Sequence, residues 1–483
     1  MAELLINEEN FPDAFFRAYV MTLPGGSKGS FTEEEIQSIT EIDCSDHSIA
    51  NLQGIEHFTA LQTLNCQWNR LSALNIDALS ELSTLCCFHN QLEKLNLKHN
   101  IKLKKLWCHY NNLETLTLEG NPEITEIRCF ENRKLKSLDV RHNPKLKTLW
   151  CYCCQALSAL DVSYNADLTT LKCRYTAISK LDVSYNPKLK ILDCSNNGIR
   201  TLFLDNNTNL RTLDCSHSAI SYLNLRQLRK LERLCCSSNQ LKKLDVTNNT
   251  DLVSISCGAN AIAELDLSHN VRLKELSCNT NQITALDLTD CKALTSVSCG
   301  NDQLTSINVS GLAELSTLYC QGNELTSINL SGCTELQTLV CSQNHISSID
   351  ISSCAKLEKF DCTENNLDFL DLANHQSISV LLCDENEMVE LNASGCSKLE
   401  HISCANNKLK SLKIDGCITL YHLNCEKNLL SSLNASGCNL LERLFCGGNP
   451  LRTIDIRRTK LGKKTFVIGD NYTSLALILR DPD

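Results

Sequence analysis

The chain has 483 residues, 42% hydrophobic and 21% charged, with 46 Lys and Arg against 56 Asp and Glu for a formal net charge of −10. Only 7 Pro and 18 Gly argue against a disordered or linker-like chain. No apolar run reaches the roughly 18–20 residues that span a bilayer, so no membrane insertion is expected. Such a length would ordinarily divide into about three globular domains, a prior that fails if the sequence repeats itself.

The opening MAELLINEENFPD has no basic segment followed by an apolar stretch, so no signal peptide is legible. FPDAFFRAYV reads as a short amphipathic helix and TEEEIQSI as a second one, begun by a Thr N-cap. The intervening PGGSKGSFTEEE keeps three features of a calcium-binding helix–loop–helix: Gly29 at the sharp turn, the hydrophobic Phe31, and Glu35 at the closing position. The first three ligand positions hold Pro24, Gly26 and Lys28, which offer no carboxylate. Residues 1–43 are therefore read as a helical N-terminal cap with a degenerate EF-hand-like loop and no metal.

Thirty cysteines would suggest an extracellular disulfide scaffold, but their positions say otherwise. Cys44, Cys66, Cys87, Cys108, Cys129, Cys151 and Cys173 are followed by one cysteine every 21 residues from Cys194 to Cys446, the earlier intervals being 21 or 22. The unit reads L-x-x-L-x-C-x-x-N-x-L-x-x-L-x-L-x-x-N-x-x, as in LYCQGNELTSI at residues 318–328. The L-x-C segment alternates as a short strand does. Stacked turns would form a parallel sheet with strands about 4.8 Å apart, a curved right-handed rod of about 90–100 Å with the sheet on its concave face. The Asn three residues after the ladder cysteine, as at Asn69, Asn90, Asn111, Asn132, Asn197 and Asn239, can satisfy loop backbone groups where the strand ends. The ladder cysteines act as small buried hydrophobes, and directly stacked positions suit a disulfide poorly, so reduced thiols are expected. Thirteen residues after the ladder, Asn100, Asn121, Asn186, Asn207, Asn249 and Asn270 in the first half give way to Cys291, Cys333, Cys354, Cys396, Cys417 and Cys438 in the second.

This unit, seen again as LDCSNNGIRTL at residues 192–202, resembles the cysteine-ladder leucine-rich repeats of internalin-type bacterial surface proteins; similar repeats occur in secreted proteins of gut anaerobes. The likeness covers roughly residues 40–456 and implies a leucine-rich-repeat solenoid of about 20 turns over residues 44–456. Adhesion or recognition of host components is what the resemblance implies for function, together with a secreted or cell-surface location. The remaining residues 457–483 lose the ladder but keep the apolar runs TFVIG and LALIL, and are read as a C-terminal cap too short for an enzyme domain.

Function is sought in what the scaffold does not require. The residues immediately before, immediately after and two after each ladder cysteine are expected to face solvent on the sheet. From residue 254 onward these are mostly small or polar, as at Ser254, Ser256, Ser277 and Ser298. In turns two to seven they are Gln67 and Trp68; Phe88 and His89; Trp107, His109 and Tyr110; Arg128, Phe130 and Glu131; Trp150 and Tyr152; Lys172, Arg174 and Tyr175. All three tryptophans lie here. Leu and Cys already fill the inward phase, so exposed aromatics interleaved with basic residues read as a binding hot spot. The same stretch holds one extra residue after Asn132 and one after Cys154, with Cys154 and Thr176 in place of the ladder Asn. Residues 86–190 carry 17 Lys and Arg against 10 Asp and Glu, a local excess that includes Lys94, Lys98, Lys102, Lys104, Lys105, Arg133, Lys134 and Lys136 and would attract an acidic partner.

A non-catalytic adhesin or recognition protein, gripping a protein or acidic glycan with Trp68, Phe88, His89, Trp107, His109, Tyr110, Arg128, Phe130, Trp150, Tyr152, Lys172, Arg174 and Tyr175, is the leading expectation. An intracellular or host-translocated scaffold for a protein partner is the alternative. Single-stranded nucleic-acid binding is disfavoured by the acidic remainder of the chain and the lack of a recognised motif. Metal or redox chemistry would need ligand spacing that the outward Cys86, His89, His109, Cys153 and Cys235 lack. No convergent acid, base or nucleophile is visible, so no enzyme activity and no cofactor are expected, and the chain is expected to be a monomer.

Overall fold

A computed structural model describes residues 3–461 except 374, together with the backbone of Phe466–Val467 and Leu477–Leu479. The chain is a parallel β-solenoid of about twenty turns that divides into two compact units, Met1–Leu241 and Lys242–Asp483.

In the first unit, three-residue strands stack in parallel register from Glu41–Asp43 through Thr63–Asn65, Thr84–Cys86, Lys105–Trp107, Glu126–Arg128, Thr148–Trp150, Thr170–Lys172, Ile191–Asp193 and Thr212–Asp214 to Arg233–Cys235. The middle residue of each is a fully buried Leu or Ile, such as Leu106, Ile127 and Leu149, each partnered with its equivalent one turn away. The following ladder cysteine is also at 0% exposure. A single turn cannot bury both; burial of one Leu side chain contributes about 1.5–3 kcal/mol only once neighbours cover it. The second unit repeats the arrangement from Ser254–Ser256 to Arg443–Phe445, and the backbone of Phe466–Val467 adds a further parallel pairing. All thirty cysteines are free thiols, and all but the half-buried Cys153 and Cys235 are buried.

Where each strand ends, the chain turns through one left-handed residue, two after the ladder cysteine: Trp68, His89, Tyr110, Glu131, Cys153 and Tyr175 have φ of 51–56°. Non-glycine residues occupy that region at a cost. Here the ladder of hydrogen bonds holds them, because Trp68, His89 and Tyr110 each donate a backbone N–H to the next turn (3.1 Å in each case). This corrects the expectation that the second residue after the cysteine lies on the sheet; it lies on the turn along the sheet's edge.

The stacked Asn completes the turn. Asn90 Nδ2 donates to the carbonyls of Cys66 (3.0 Å) and Cys87 (3.2 Å), and its Oδ1 accepts from the N–H of Leu71 (2.9 Å). At the second corner Asn100 Nδ2 donates to Ile76 O (3.0 Å) and Leu79 O (2.9 Å), but its buried Oδ1 finds no partner. Cys291, Cys333, Cys396, Cys417 and Cys438, which hold this corner in the second unit, donate their thiols to the same kind of carbonyl, as Cys396 does to Leu372 O (3.0 Å). A thiol makes the donation without bringing a strong acceptor that must then be buried.

The first unit begins with α1 (Ala14–Val20) and α2 (Glu33–Ser38). Asp13 caps α1 through one oxygen and accepts from the N–H groups of Ala50 (2.8 Å) and Asn51 (3.0 Å) through the other, tying the helix to the first turn. Phe11, Phe16, Phe31 and Phe58 are fully buried between them. Gly54 (φ 102°) lies against this cluster, where a Cβ would meet the Phe11 ring at 2.4 Å. Glu35 closes a capping box with Thr32 and ion-pairs with Lys28 (2.8 Å), so the loop's closing carboxylate is already engaged. The 457–483 segment lies mostly outside the described residues. No described helix is long and apolar enough to cross a membrane.

Candidate functional site

Because every turn repeats the last, outward side chains of turns two to seven stand in three columns. In the column just after the ladder cysteine, Phe88, His109, Phe130 and Tyr152 stack face to face at centroid spacings of 4.2 Å and interplanar angles of 13–18°. Arg174 closes this column, its guanidinium carbon 5.0 Å from the Tyr152 ring. Along the left-handed turns Trp68, His89 and Tyr110 form a second stack at 3.7 and 4.2 Å. In the column just before the cysteine, Arg128 is sandwiched between Trp107 (4.5 Å) and Trp150 (4.4 Å), and Lys172 Nζ lies 4.7 Å from the other side of Trp150. The spacing follows from the sheet, since side chains at equivalent positions of parallel strands lie about 4.8 Å apart, close to ring-stacking distance.

The stacking changes what the surface offers. Phe130 (7% exposed), His109 (9%) and Cys86 (7%), expected to face solvent, are buried by their own neighbours in the columns. Inner rings show solvent only their edges. Trp68, Tyr110, Arg174 and Tyr175 are exposed, while Phe88, His89, Trp107, Arg128, Trp150, Tyr152 and Lys172 are half-buried. All thirteen residues singled out from the sequence therefore fall on one continuous stretch of the first unit. The Nε1 of Trp107 donates to Glu126 (3.1 Å), whereas the buried Nε1 of Trp150 has no partner.

Acidic residues beside these cations moderate the charge. Glu126 lies 2.6 Å from Arg128 Nε, an ion pair not aligned as a hydrogen bond. Glu131 pairs with Arg133 (3.1 Å), and Asp193 lies 3.8 Å from Arg174. Burial, with Asp214 beside it, raises the Asp193 carboxyl above the usual range. Several of the surplus lysines belong to flanking pairs one turn apart, such as Lys102–Glu81 (2.6 Å) and Lys145–Glu123 (2.7 Å). The field over the rings is thus more balanced than residue totals suggest.

The two lengthened turns keep their bonding by substitution. Cys154 donates its thiol to Cys129 O (3.3 Å), and Thr176 donates to Cys173 O (3.1 Å) or to Asn197 Oδ1 (2.7 Å). Burial pushes the thiols of Cys86 and Cys153 up to about 11, so neither is a thiolate near neutral pH. Among the described residues no group of three or more His, Cys, Asp and Glu is placed to hold a metal.

Burial, reinforced by His89 and Arg128, pushes His109 down to about 4 from the ordinary 6.5. The unfolded chain takes up that proton near pH 6.5 and the folded chain only near 4. The stabilisation from a neutral His109 is therefore complete above about pH 6.5 and is lost as pH falls towards 4. His109→Phe, which preserves the stack, is expected to shrink the drop in melting temperature between pH 7 and pH 4.5. Identical drops in the two proteins would show that His109 does not carry this dependence.

In the second unit the outward positions are small or polar through Ser298 and Gly300, but not to the end. His401 and His422 stack at 4.2 Å, with Tyr421 and Phe445 beside them. Asp384 accepts from Ser403 Oγ (2.8 Å) and Ala405 N (2.6 Å) of the next turn. This second cluster was missed because His401 and His422 stand three residues before the ladder cysteine, a position not among those expected to face solvent.

The structure is similar to the functional domain of InlJ from Listeria monocytogenes, described as including a cysteine ladder: 25% identity, 94% of this chain and 82% of that one covered, TM-score 0.56. An internalin from the same species, InlF, matches at 24% identity over 74% of this chain and 97% of its own, TM-score 0.51. YopM from Yersinia enterocolitica matches at 23% identity over 86% and 84%, TM-score 0.64. No protein-family model and no curated protein matches the chain. The likeness to cysteine-ladder repeats read from the L-x-C-x-x-N unit thus holds at the level of structure.

Proposed function

We propose that this chain, a leucine-rich-repeat solenoid with a cysteine ladder, is a non-catalytic binding protein that grips a protein partner on the stacked face between Trp68 and Tyr175. The observation that carries the reading is the pre-formed stack of rings and cations, Trp107–Arg128–Trp150–Lys172 beside Phe88–His109–Phe130–Tyr152–Arg174. Trp, Tyr and Arg are the side chains that dominate interface energetics. Holding each against its neighbour before a partner arrives removes part of the rotamer entropy that binding would otherwise cost, about 0.5–1.5 kcal/mol for each immobilised side chain.

An acidic glycan is the weaker reading. Sugar rings stack on open aromatic faces, and here the inner faces are covered, while Glu126, Glu131 and Asp193 offset the basic residues. The test is retention from protein extracts and on a glycan array, using immobilised wild-type chain, a Trp107→Ala/Trp150→Ala/Tyr152→Ala variant, and a Ser277→Ala control. A protein held by wild type and control but released by the triple variant is the expected result. Retention by all three, or glycan capture with no protein, would overturn the reading.

A further inference from the structure

The aromatic columns meet cations supplied by the chain itself: Arg128 fills the gap between Trp107 and Trp150, Lys172 covers the far side of Trp150, and Arg174 covers Tyr152. Trp68 breaks this pattern. His89 covers one of its faces at 3.7 Å and an interplanar angle of 12°. Yet Trp68 remains 54% exposed, and among the described residues no Lys or Arg lies over it. The half of the ring left in solvent belongs to the face turned away from His89.

The residue one turn earlier in this column is acidic. Asp46 occupies the same left-handed position one turn earlier (φ 56°, against 54° for Trp68), and its N–H donates to Gln67 O at 3.0 Å. Asp46 is exposed and makes no ion pair among the described residues. Three outward residues of this first turn are acidic, Glu41 and Asp43 with Asp46, although Asp43 is engaged by Ser45 through N (3.1 Å) and Oγ (2.6 Å). Trp68 also lines a groove of about 720 Å³ that runs past His89 and Tyr110 to Glu131. The ring is therefore approached from open space.

We propose that the open face of Trp68 and the carboxylate of Asp46 form a subsite for an organic cation, an alkylammonium or guanidinium group. An indole face attracts such a cation through its quadrupole, and a carboxylate at the rim adds direct charge attraction. The chain uses the same chemistry internally wherever Arg128 and Lys172 meet Trp150. Arg70 lines the groove beside Trp68, and Arg133 and Lys134 line it near Glu131, so these cations oppose a cationic ligand and would welcome an anion. The subsite thereby reverses the preference suggested by the lysine-rich flank: the partner brings a positive group to this end of the face. The inference rests on that face being a binding surface, but it needs no partner protein to be tested.

The chain has three tryptophans, hence three indole N–H resonances, which Trp→Phe variants at 68, 107 and 150 assign. Full-length protein is titrated with tetramethylammonium, butylammonium and ethylguanidinium chlorides, with sodium chloride at matched ionic strength and sodium phosphate as the anion arm. A saturable shift of the Trp68 indole in the millimolar range is expected, with Trp107 and Trp150 unmoved because their faces are occupied. Butylammonium or ethylguanidinium acting more strongly than tetramethylammonium would identify a Lys or Arg side chain as the source of the cation; the reverse order would identify a quaternary ammonium group. Asp46→Asn, which suits the left-handed backbone equally well, is expected to weaken binding about five- to tenfold, and Arg70→Ala to tighten it severalfold. A shift reproduced by sodium chloride, one unaffected by Asp46→Asn, or a Trp68 response to phosphate alone would overturn the subsite. None of these results depends on partner capture, which tests the larger face separately.

Discussion

Asn344→Ala is expected to destabilise its part of the second unit by about 3–5 kcal/mol, far more than the loss of an average polar side chain. The amide serves four backbone groups at once. Nδ2 donates to Cys320 O (3.0 Å), Cys341 O (3.0 Å) and Ser342 O (3.2 Å), while Oδ1 accepts from Leu325 N (3.0 Å). Asn344 is only 4% exposed, so water cannot take over all of these bonds. Each buried group left unpaired costs about 1–3 kcal/mol. Because each turn contacts mainly its neighbours, the loss should appear as faster hydrogen exchange in the turns around residue 344 rather than in the whole chain. Asp302 provides a natural comparison. It holds the same column position, accepts from Asn281 N (2.7 Å), and has a buried Oδ2 with no partner. Burial pushes its carboxyl up to about 6 from 3.8. The folded state therefore favours protonated Asp302, and stability is lost as pH rises from about 4 through 6. Asp302→Asn is accordingly expected to stabilise the chain at pH 7 and to gain less at pH 5. Equal gains at both values, or unchanged exchange around residue 344 in Asn344→Ala, would show that the column does not carry this role.

The period made the scaffold legible. An apolar residue, mostly Leu, two before each ladder cysteine and, in most turns, an Asn three after it specify strand, core and corner without any coordinate, because a repeat must bury the same side chains in every turn. The location of the aromatic turns was legible for the complementary reason, since scaffold residues already fill the inward phase. The consequences of stacking were not. Assigning Phe130, His109 and Cys86 to solvent treats each turn alone, whereas residues 21 or 22 apart lie one above another and cover each other. Trp68 and Tyr110 carry no local sign of a left-handed backbone, because Trp and Tyr are not residues that favour it and only the hydrogen-bonded stack imposes it. The roles of Glu126 and Asp193 escaped for a similar reason: the cations they balance are two residues away on the same strand in one case and one turn away in the other.

Trp107→Ala and Trp150→Ala are each expected to weaken partner binding by about 2–4 kcal/mol, some thirty- to several-hundred-fold, with little effect on folding. Their effects should not add. Both rings clamp the Arg128 guanidinium, at 4.5 and 4.4 Å, and loss of either leaves Arg128 held on one side only. A double-mutant cycle between either Trp and Arg128 should therefore return a coupling of about 1 kcal/mol or more, as expected for residues in one contact network. Tyr152→Ala should cost less, since it removes the last ring of a stack whose inner members Phe130 and His109 are already buried. Lys172 and Arg174 sit at the ends of their columns facing solvent on one side. Their replacement should mainly slow association and flatten its salt dependence, because a partly screened charge acts on the approach of the partner more than on the formed contact. Ser277→Ala and Ser298→Ala, at equivalent positions of the second unit, should change affinity by less than a factor of about two. The decisive measurement is a titration of each variant against the captured protein, with association and dissociation rates resolved. Full affinity in Trp107→Ala, Trp150→Ala and Tyr152→Ala, combined with loss of binding in His401→Ala or His422→Ala, would move the binding surface to the late aromatic cluster of the second unit.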